Sequence, residues 1–434
     1  MKPNILYIFA DQLSLMALSV YGRPDAPNTP NIDRLAREGV TFTSSYCTTP
    51  QCSPSRSTIL TGMYPHKTGV IGNFGMAGSS ELRSRDLTIG RFFQERGYAT
   101  GYFGKWHLGK TALAEYGFED SHSGQNDPKT VEHSLQFLDR QHAGGQQPWL
   151  CMVSINNPHD IYKVNHYQNE GGLVDLSAIA LPDNIADDLA DKPEPQRIFR
   201  DDDQGKSLKA YSDDDWKYYR GFYNRLVQIV DSQVGQIVNK LEQIGQLEQT
   251  IVVLTADHGD LLGAHRTPYK GPMMYDELVK IPLIFRLPGA AVSNQRREQL
   301  VINADHFPTL CELAGFEVPE GLDGKSLKEA IASSDAAGRE QLVLQYYAKQ
   351  QWICPIRTIL TREWKYSIYW NGEEELYRLS EDLGEQYNLA GASAQRDQKI
   401  AMRANLLHWI ETNDDPFFTY SATDRLGNPI EPAN

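Results

Sequence analysis

The sequence predicts an α/β protein: a large, mostly parallel sheet sandwiched by helices, with a small C-terminal α+β subdomain built on an antiparallel sheet. Three observations predict it. Short apolar runs alternate with helical patterns over residues 1–350. Most of these runs end in polar clusters. After about residue 350 the texture changes to β-formers separated by turns.

The apolar runs are residues 4–9 (NILYIF), 99–103 (ATGYF), 149–155 (WLCMVSI), 250–254 (TIVVL) and 281–285 (IPLIF). They read as buried parallel strands, because strands covered on both faces are continuously hydrophobic rather than alternating. Helical patterns lie between them, at 31–38 ending before Gly39 and at 88–96 ending before Gly97. The longest covers about 216–244. Its Leu226, Val230, Val234, Ile237, Leu241 and Ile244 recur at three and four, and Gly245 suits the C-terminal cap. Residues 160–215 break the alternation. They are rich in Asp, Gly and Pro, with acidic runs at 201–203 and 213–215, and read as an irregular insertion. In 351–434, "ICPIRTILTREWKYSIYWNGEEELYRL" alternates β-formers with turns. Asn371-Gly372 is a hairpin signal, and a last helix is expected over roughly 394–412.

Composition bounds the function. The chain has 434 residues, 40% hydrophobic and 23% charged, as in ordinary globular proteins. A formal net charge of −14 argues against nucleic acid as a partner. It still allows an anionic small molecule held by a local cluster of cations. No apolar run approaches the ~20 residues of a membrane span. Residues 4–10 are too short and too close to Met1 for a signal peptide. A cytoplasmic protein is expected, or a periplasmic one whose export signal was removed. The five cysteines, Cys47, Cys52, Cys151, Cys311 and Cys354, are scattered and odd in number. They suggest neither a zinc site nor a disulfide framework.

Ligands of open α/β sheets bind beyond the carboxyl ends of the strands. The clusters "ADQ", "GKWH", "NNPHD" and "TADHGD" follow such ends and are expected to converge. Asp11 and Gln12, with Asp257 and His258, bring two carboxylates, an amide and an imidazole. A lone Asp after a strand is more often a helix cap. Two such pairs point to a hard divalent cation, Ca²⁺ or Mg²⁺ rather than zinc. Lys105, His107, His159 and Lys270 suggest a pocket for an anion whose leaving group needs a proton. Either lysine alone also reads as a solvated surface residue.

Residues 48–62 read "TTPQCSPSRSTILTG". Ser53 suits a helix cap, Pro54 the first helical position and Gly62 the end. Cys52 would then lie just before a helix N-terminus, where partial positive charge favours an anion. Arg56, one turn in, can point back toward it. The plainer alternative is a small buried cysteine beside a helix start.

Together these residues resemble the formylglycine-dependent sulfatases of the alkaline-phosphatase superfamily. Cys52-Ser53-Pro54-Ser55-Arg56, continuing to Leu60-Thr61-Gly62, is similar to the family signature C-x-P-S-R…L-T-G. The strand-end clusters keep the family's order, and the resemblance runs from Pro3 to "ELYRLSEDLGEQYNLA" near residues 376–390. It implies an alkaline-phosphatase-like fold. It also implies that Cys52 is oxidised to formylglycine by a formylglycine-generating enzyme and hydrated to a gem-diol. One hydroxyl attacks sulfur and displaces the alcohol. The other then loses its proton, expels sulfate and restores the aldehyde.

The roles implied by the resemblance are specific. Asp11, Gln12, Asp257 and His258 hold Ca²⁺, with Mg²⁺ or Mn²⁺ as alternatives, and the ion contacts the diol formed at Cys52. Arg56 stabilises the diol, and Lys105 and Lys270 bind sulfate oxygens. His107 assists the diol and acts as base in the elimination. His159 protonates the leaving oxygen, with Lys270 as partner. Asn73 and Trp106 are candidate substrate contacts, Trp106 as a ring for stacking on a sugar. Many members carry a second Asp where Gln12 stands, so weaker or biased metal binding is expected. His258 replaces the common Asn. The implied reaction is sulfate ester hydrolysis on a sulfated saccharide such as an oligosaccharide. Choline or aryl sulfates are alternatives, as is a phosphonate or phosphate ester. The phosphonate pattern tends to place Thr where His107 stands. An inactive binding homologue would have lost the nucleophile or the cations, and all are encoded here.

Overall fold

Eight strands form the main sheet of the computed structural model, which describes residues 2–430 except 24, 77, 146 and 168–171. They are β1 (Asn4–Asp11), β2 (Val40–Phe42), β3 (Ala99–Gly104), β4 (Asp120–Ser123), β5 (Trp149–Pro158), β6 (Thr250–Ala256), β7 (Leu283–Arg286) and β8 (Gln295–Arg297). Their order is β4-β3-β5-β1-β6-β7-β2-β8. Strand β1 is buried throughout and lies between β5 and β6, parallel to both, with Ile5 opposite Leu150 and Ile251.

Alternate residues of β1 serve opposite faces of the sheet. Leu6, Ile8 and Ala10 join one apolar cluster, and Ile5, Tyr7 and Phe9 join the other. Helices cover both faces, which is why these strands are apolar on both sides. Among them are α1 (Pro30–Arg37), α2 (Cys52–Thr61), α3 (Asp127–Gly144) and α4 (Asp213–Gln243). Helix α4 opens on a capping box between Ser212 and Asp215. It buries Leu226, Val230, Val234, Ile237 and Leu241 in the first cluster, as their spacing predicts.

One strand departs from expectation. The run at 281–285 is not parallel: β7 pairs antiparallel with both β6 and β2. The segment between β6 and β7 holds only short turns of helix, Ala264–Arg266 and Asp276–Val279. The chain therefore loops across the carboxyl end of β6 and re-enters the sheet from that same end. A parallel return would need a crossover to the opposite end.

The irregular stretch 160–215 contains short helices, among them Glu194–Asp201 and Gln204–Leu208; residues 168–171 lie outside the described residues. The C-terminal sheet is β9 (Leu342–Lys349), β10 (Trp352–Leu360), β11 (Trp364–Tyr369) and β12 (Glu374–Arg378), antiparallel in that order. The expected boundary at 350/351 falls in the turn between β9 and β10. Helix α5 (Arg396–Thr412) packs Met402, Leu406 and Ile410 on this sheet.

The small sheet is joined to the core by buried polar contacts. Lys365 on β11 lies 2.5 Å from Asp276 Oδ1 and 2.8 Å from Glu385 Oε1. The Gln345 N–H on β9 donates to the Thr48 carbonyl at 2.7 Å, just ahead of α2. Among the described residues no helix is long and apolar enough to cross a membrane.

Candidate active site

The adjacency of β3, β5, β1 and β6 places their carboxyl ends on one rim of the sheet. Asp11 ends β1, Lys105 and His107 follow β3, His159 follows β5, and Asp257 and His258 follow β6. Helix α2 brings Cys52 to the same rim. The chain turns sharply there: Gln12, His107 and Tyr269 have φ of 69°, 58° and 58°. Non-glycine residues in this region are sparse and cluster at functional sites.

Helix α2 begins at Cys52, two residues earlier than Pro54, with Gln51 at the cap position and no side-chain cap bond. Ser53 is drawn elsewhere. Its hydroxyl donates to the His107 carbonyl at 2.6 Å and accepts from the Phe74 N–H at 3.0 Å. The Asn73 side-chain oxygen takes the Ser53 N–H at 3.1 Å, satisfying a donor the helix leaves free. Pro54 falls within the first turn, where its missing N–H removes no helical bond.

Arg56 does not reach back to Cys52. Its Nε donates to Asp257 Oδ2 at 2.9 Å and one terminal nitrogen to Asp11 Oδ2 at 2.8 Å. The other bonds the Lys105 carbonyl and Ser154 Oγ, both at 2.7 Å. Only a planar fork satisfies so many acceptors at once. The clamp holds two buried carboxylates side by side. Burial and Cys52 work to raise the Asp11 carboxyl, but Lys105, 2.6 Å away, His159 and Arg56 hold it well below the usual range. Burial and the Asp11 charge raise Asp257.

Each Oδ2 is taken by Arg56, which leaves Asp11 Oδ1 facing Cys52 Sγ and Asp257 Oδ1 accepting from the Gln12 and His258 N–H groups. Asp11, Cys52, Asp257 and His258 each offer a ligand atom, all within 4.8 Å of one another. His258 Nδ1–H donates to the Gly259 carbonyl at 2.8 Å, so the lone pair of Nε2 points inward. The Gln12 N–H donates to Asp257 Oδ1 at 3.0 Å, and its Oε1 accepts from Lys270 Nζ at 2.7 Å. Two carboxylates, a carboxamide oxygen and one imidazole form a donor set that fits a hard divalent cation.

Cys52 Sγ lies 3.2 Å from Lys270 Nζ, 3.4 Å from His258 Nε2, 3.6 Å from Asp11 Oδ1 and 3.8 Å from Lys105 Nζ. Burial would push its thiol up. Lys105, Lys270 and His258, with a hydrogen bond to His107, hold it well below the usual thiol range instead. Burial pushes the His159 imidazole down, against the pull of Asp11 and a hydrogen bond to Cys52. Cys52, Asp11, Asp257, Lys105, Lys270, His107, His159 and His258 thus converge as expected.

Trp106 does not line the site. It is 3% exposed and packs against Tyr102, Tyr116 and Phe118, because the residue after Lys105 on this turn faces the aromatic cluster beneath the sheet. No ring face is open to a sugar. Several contributors escaped sequence reasoning. Ser154 sits inside an apolar strand, and Lys349 comes from the C-terminal sheet. Asp260 lies within "TADHGD", and Tyr219 looks like one more helical aromatic.

The sulfatase family model matches residues 3–316. The chain belongs to the sulfatase family. A second model, N-sulphoglucosamine sulphohydrolase, C-terminal, matches residues 263–412 of this sulfatase. It is 29% identical over 439 residues to a Delta 4,5-hexuronate-2-O-sulfatase of Bacteroides thetaiotaomicron, covering 96% of this chain and 90% of that protein. It is also 29% identical over 468 residues to the uncharacterized sulfatase YidJ of Escherichia coli, covering 96% and 89%. The solved structure of a 2-O GAG sulfatase matches it with a TM-score of 0.87 and 27% identity, covering 98% of this chain and 95% of that one. The protein is a sulfuric ester hydrolase with the sheet sandwich of its family.

Proposed function

We propose that this sulfatase cleaves a sulfate ester on a saccharide, with Cys52, once converted to formylglycine by a formylglycine-generating enzyme, as the nucleophile. The observation that carries the reading is the ring of Lys105, Lys270, His107, His159 and His258 around Cys52, at the first turn of a buried helix. A cation, Ca²⁺ by preference, would be held by Asp11, Gln12, Asp257 and His258. When bound it neutralises sulfate charge and favours the ionised nucleophile.

Lys105 and Lys270 bind sulfate oxygens. As the bond between sulfur and the alcohol oxygen breaks, His159 gives that oxygen a proton. His107 then takes the proton whose loss releases sulfate and restores the aldehyde. His107 forms a hydrogen bond with Cys52, which suits a base acting on the group at that position. Asn73 is a substrate contact only through what its bond to Ser53 leaves free.

The saccharide reading draws support from the relatives, a hexuronate-2-O-sulfatase and a 2-O GAG sulfatase. The test is sulfate release from sulfated mono- and oligosaccharides, run against choline sulfate, an aryl sulfate and a phosphonate ester. Turnover confined to the last three compounds overturns it. The Cys52 peptide should be about 18 Da lighter than its cysteine form, and Cys52→Ala should fold yet release no sulfate.

A further inference from the structure

We infer that Asp260 and Tyr219 form a positioning pair that locks the Gln12 carboxamide with its oxygen toward the cation site, and that Asp260 supplies at one remove the negative charge Gln12 lacks. The inference rests on the cation site proposed above and not on the identity of the ester.

A carboxamide has two nearly isosteric ends, one accepting and one donating. As a cation ligand, Gln12 serves only with Oε1 inward. Its neighbours impose that orientation from both sides. Gln12 Nε2 donates to Asp260 Oδ2 at 2.6 Å, and a carboxylate can only accept. Gln12 Oε1 accepts from Lys270 Nζ at 2.7 Å, and an ammonium can only donate. Turning the amide would set oxygen against oxygen and nitrogen against nitrogen.

Asp260 is fully buried, and among the described residues no Lys, Arg or His lies within ion-pair distance of it. A buried carboxylate with no cation in contact is costly, and the nearby Lys270 charge offsets part of that cost. It is held by neutral donors: the Tyr219 hydroxyl at 3.0 Å, the Leu262 N–H at 2.8 Å and Gln12 itself. The Tyr219 oxygen accepts from the Tyr269 N–H at 3.1 Å, which commits its proton to Asp260. One turn further along α4, the Tyr223 hydroxyl donates to the Gln12 carbonyl at 2.5 Å and accepts from the Ser14 N–H at 2.9 Å. The long helix therefore grips Gln12 by backbone and, through Asp260, by side chain. A carboxylate on the amide nitrogen polarises the amide and makes its oxygen a better ligand. It offsets the loss of charge expected from Gln in place of Asp.

The test is Ca²⁺ titration of the full-length, chelator-treated protein by calorimetry, with Mg²⁺ and Mn²⁺ alongside. Asp260→Asn should weaken Ca²⁺ binding about 10- to 100-fold, as loss of an outer partner of a metal ligand does. Tyr219→Phe should weaken it less. Gln12→Ala and the double variant Gln12→Ala/Asp260→Asn should bind Ca²⁺ alike, because Asp260 acts through Gln12. Unchanged affinity in Asp260→Asn overturns the inference, and so do effects that simply add in the double variant. A role confined to folding would lower stability without this coupling. Should Asp260→Asn not fold, Tyr219→Phe gives the same reading, and unchanged affinity there overturns the pair. Wild-type protein that binds none of the three cations overturns the cation site itself.

Discussion

Lys349, on the C-terminal sheet, donates its ammonium proton to the backbone carbonyl of Lys270 at 2.7 Å. The contact joins the small sheet to the loop that brings Lys270 to within 3.2 Å of Cys52 Sγ. Burial, with Lys270 close by, pushes the Lys349 ammonium down to about 7.

Lys349→Met should therefore release the Lys270 loop. Loss of such a hydrogen bond is worth about 0.5–1.5 kcal/mol, so kcat/KM for sulfate release should fall roughly 2- to 10-fold. Wild-type kcat/KM would make the C-terminal sheet a bystander to the reaction.

Arg56→Ala leaves Asp11 and Asp257 buried together without their shared partner. Breaking a buried ion pair typically costs about 3–5 kcal/mol. Urea unfolding should register a loss of that size, with no sulfate release. A variant as stable as wild type would refute the clamp.

Trp106→Ala should lower stability by about 3–5 kcal/mol, as for other buried large aromatics. Trp106→Phe should leave KM for a saccharide substrate unchanged. A raised KM with unaltered unfolding would return this residue to the substrate.

His306 is buried beside the Tyr7 hydroxyl, 2.7 Å from Nδ1, and burial pushes its imidazole down to about 3. Its ordinary value is about 6.5. Below that pH the unfolded chain binds a proton that the folded chain refuses. Stability from this group is thus present above pH 6.5 and declines as pH falls toward 3, by at most about 1.4 kcal/mol per unit. The urea midpoint of wild type should drop between pH 7 and pH 5. In His306→Gln that drop should shrink. An equal drop in both would place the acid sensitivity elsewhere.

Dialysis against a chelator should abolish sulfate release, and Ca²⁺ should restore it more fully than Mg²⁺. Full activity after exhaustive chelation would remove the cation from the mechanism.

Local spacing made much of this legible. The three-and-four rhythm from Leu226 to Leu241 marks the buried stripe of α4 because helix geometry repeats within a few residues. Asp11, Lys105, His159 and Asp257 stand out because polar residues follow apolar runs. Arg56 shows where this stops. Its acceptor Asp257 lies 201 positions along the chain, and nothing near Arg56 indicates whether it faces Cys52 or two carboxylates. Trp106 fails for the same reason: a motif places the residue on a turn, and only packing against Tyr102 and Phe118 says which way the ring points.

The sequence by itself determined the strand-and-helix alternation, the place of Cys52 beside a helix start and the order in which the site's residues reach the rim. These depend on short-range pattern and chain connectivity. The tertiary structure alone decided that β7 runs antiparallel, that Arg56 clamps Asp11 to Asp257, and that Asp260 accepts hydrogen bonds from both Gln12 and Tyr219. Each of these depends on long-range contacts whose geometry exists only once the core has closed and buried polar groups must find partners.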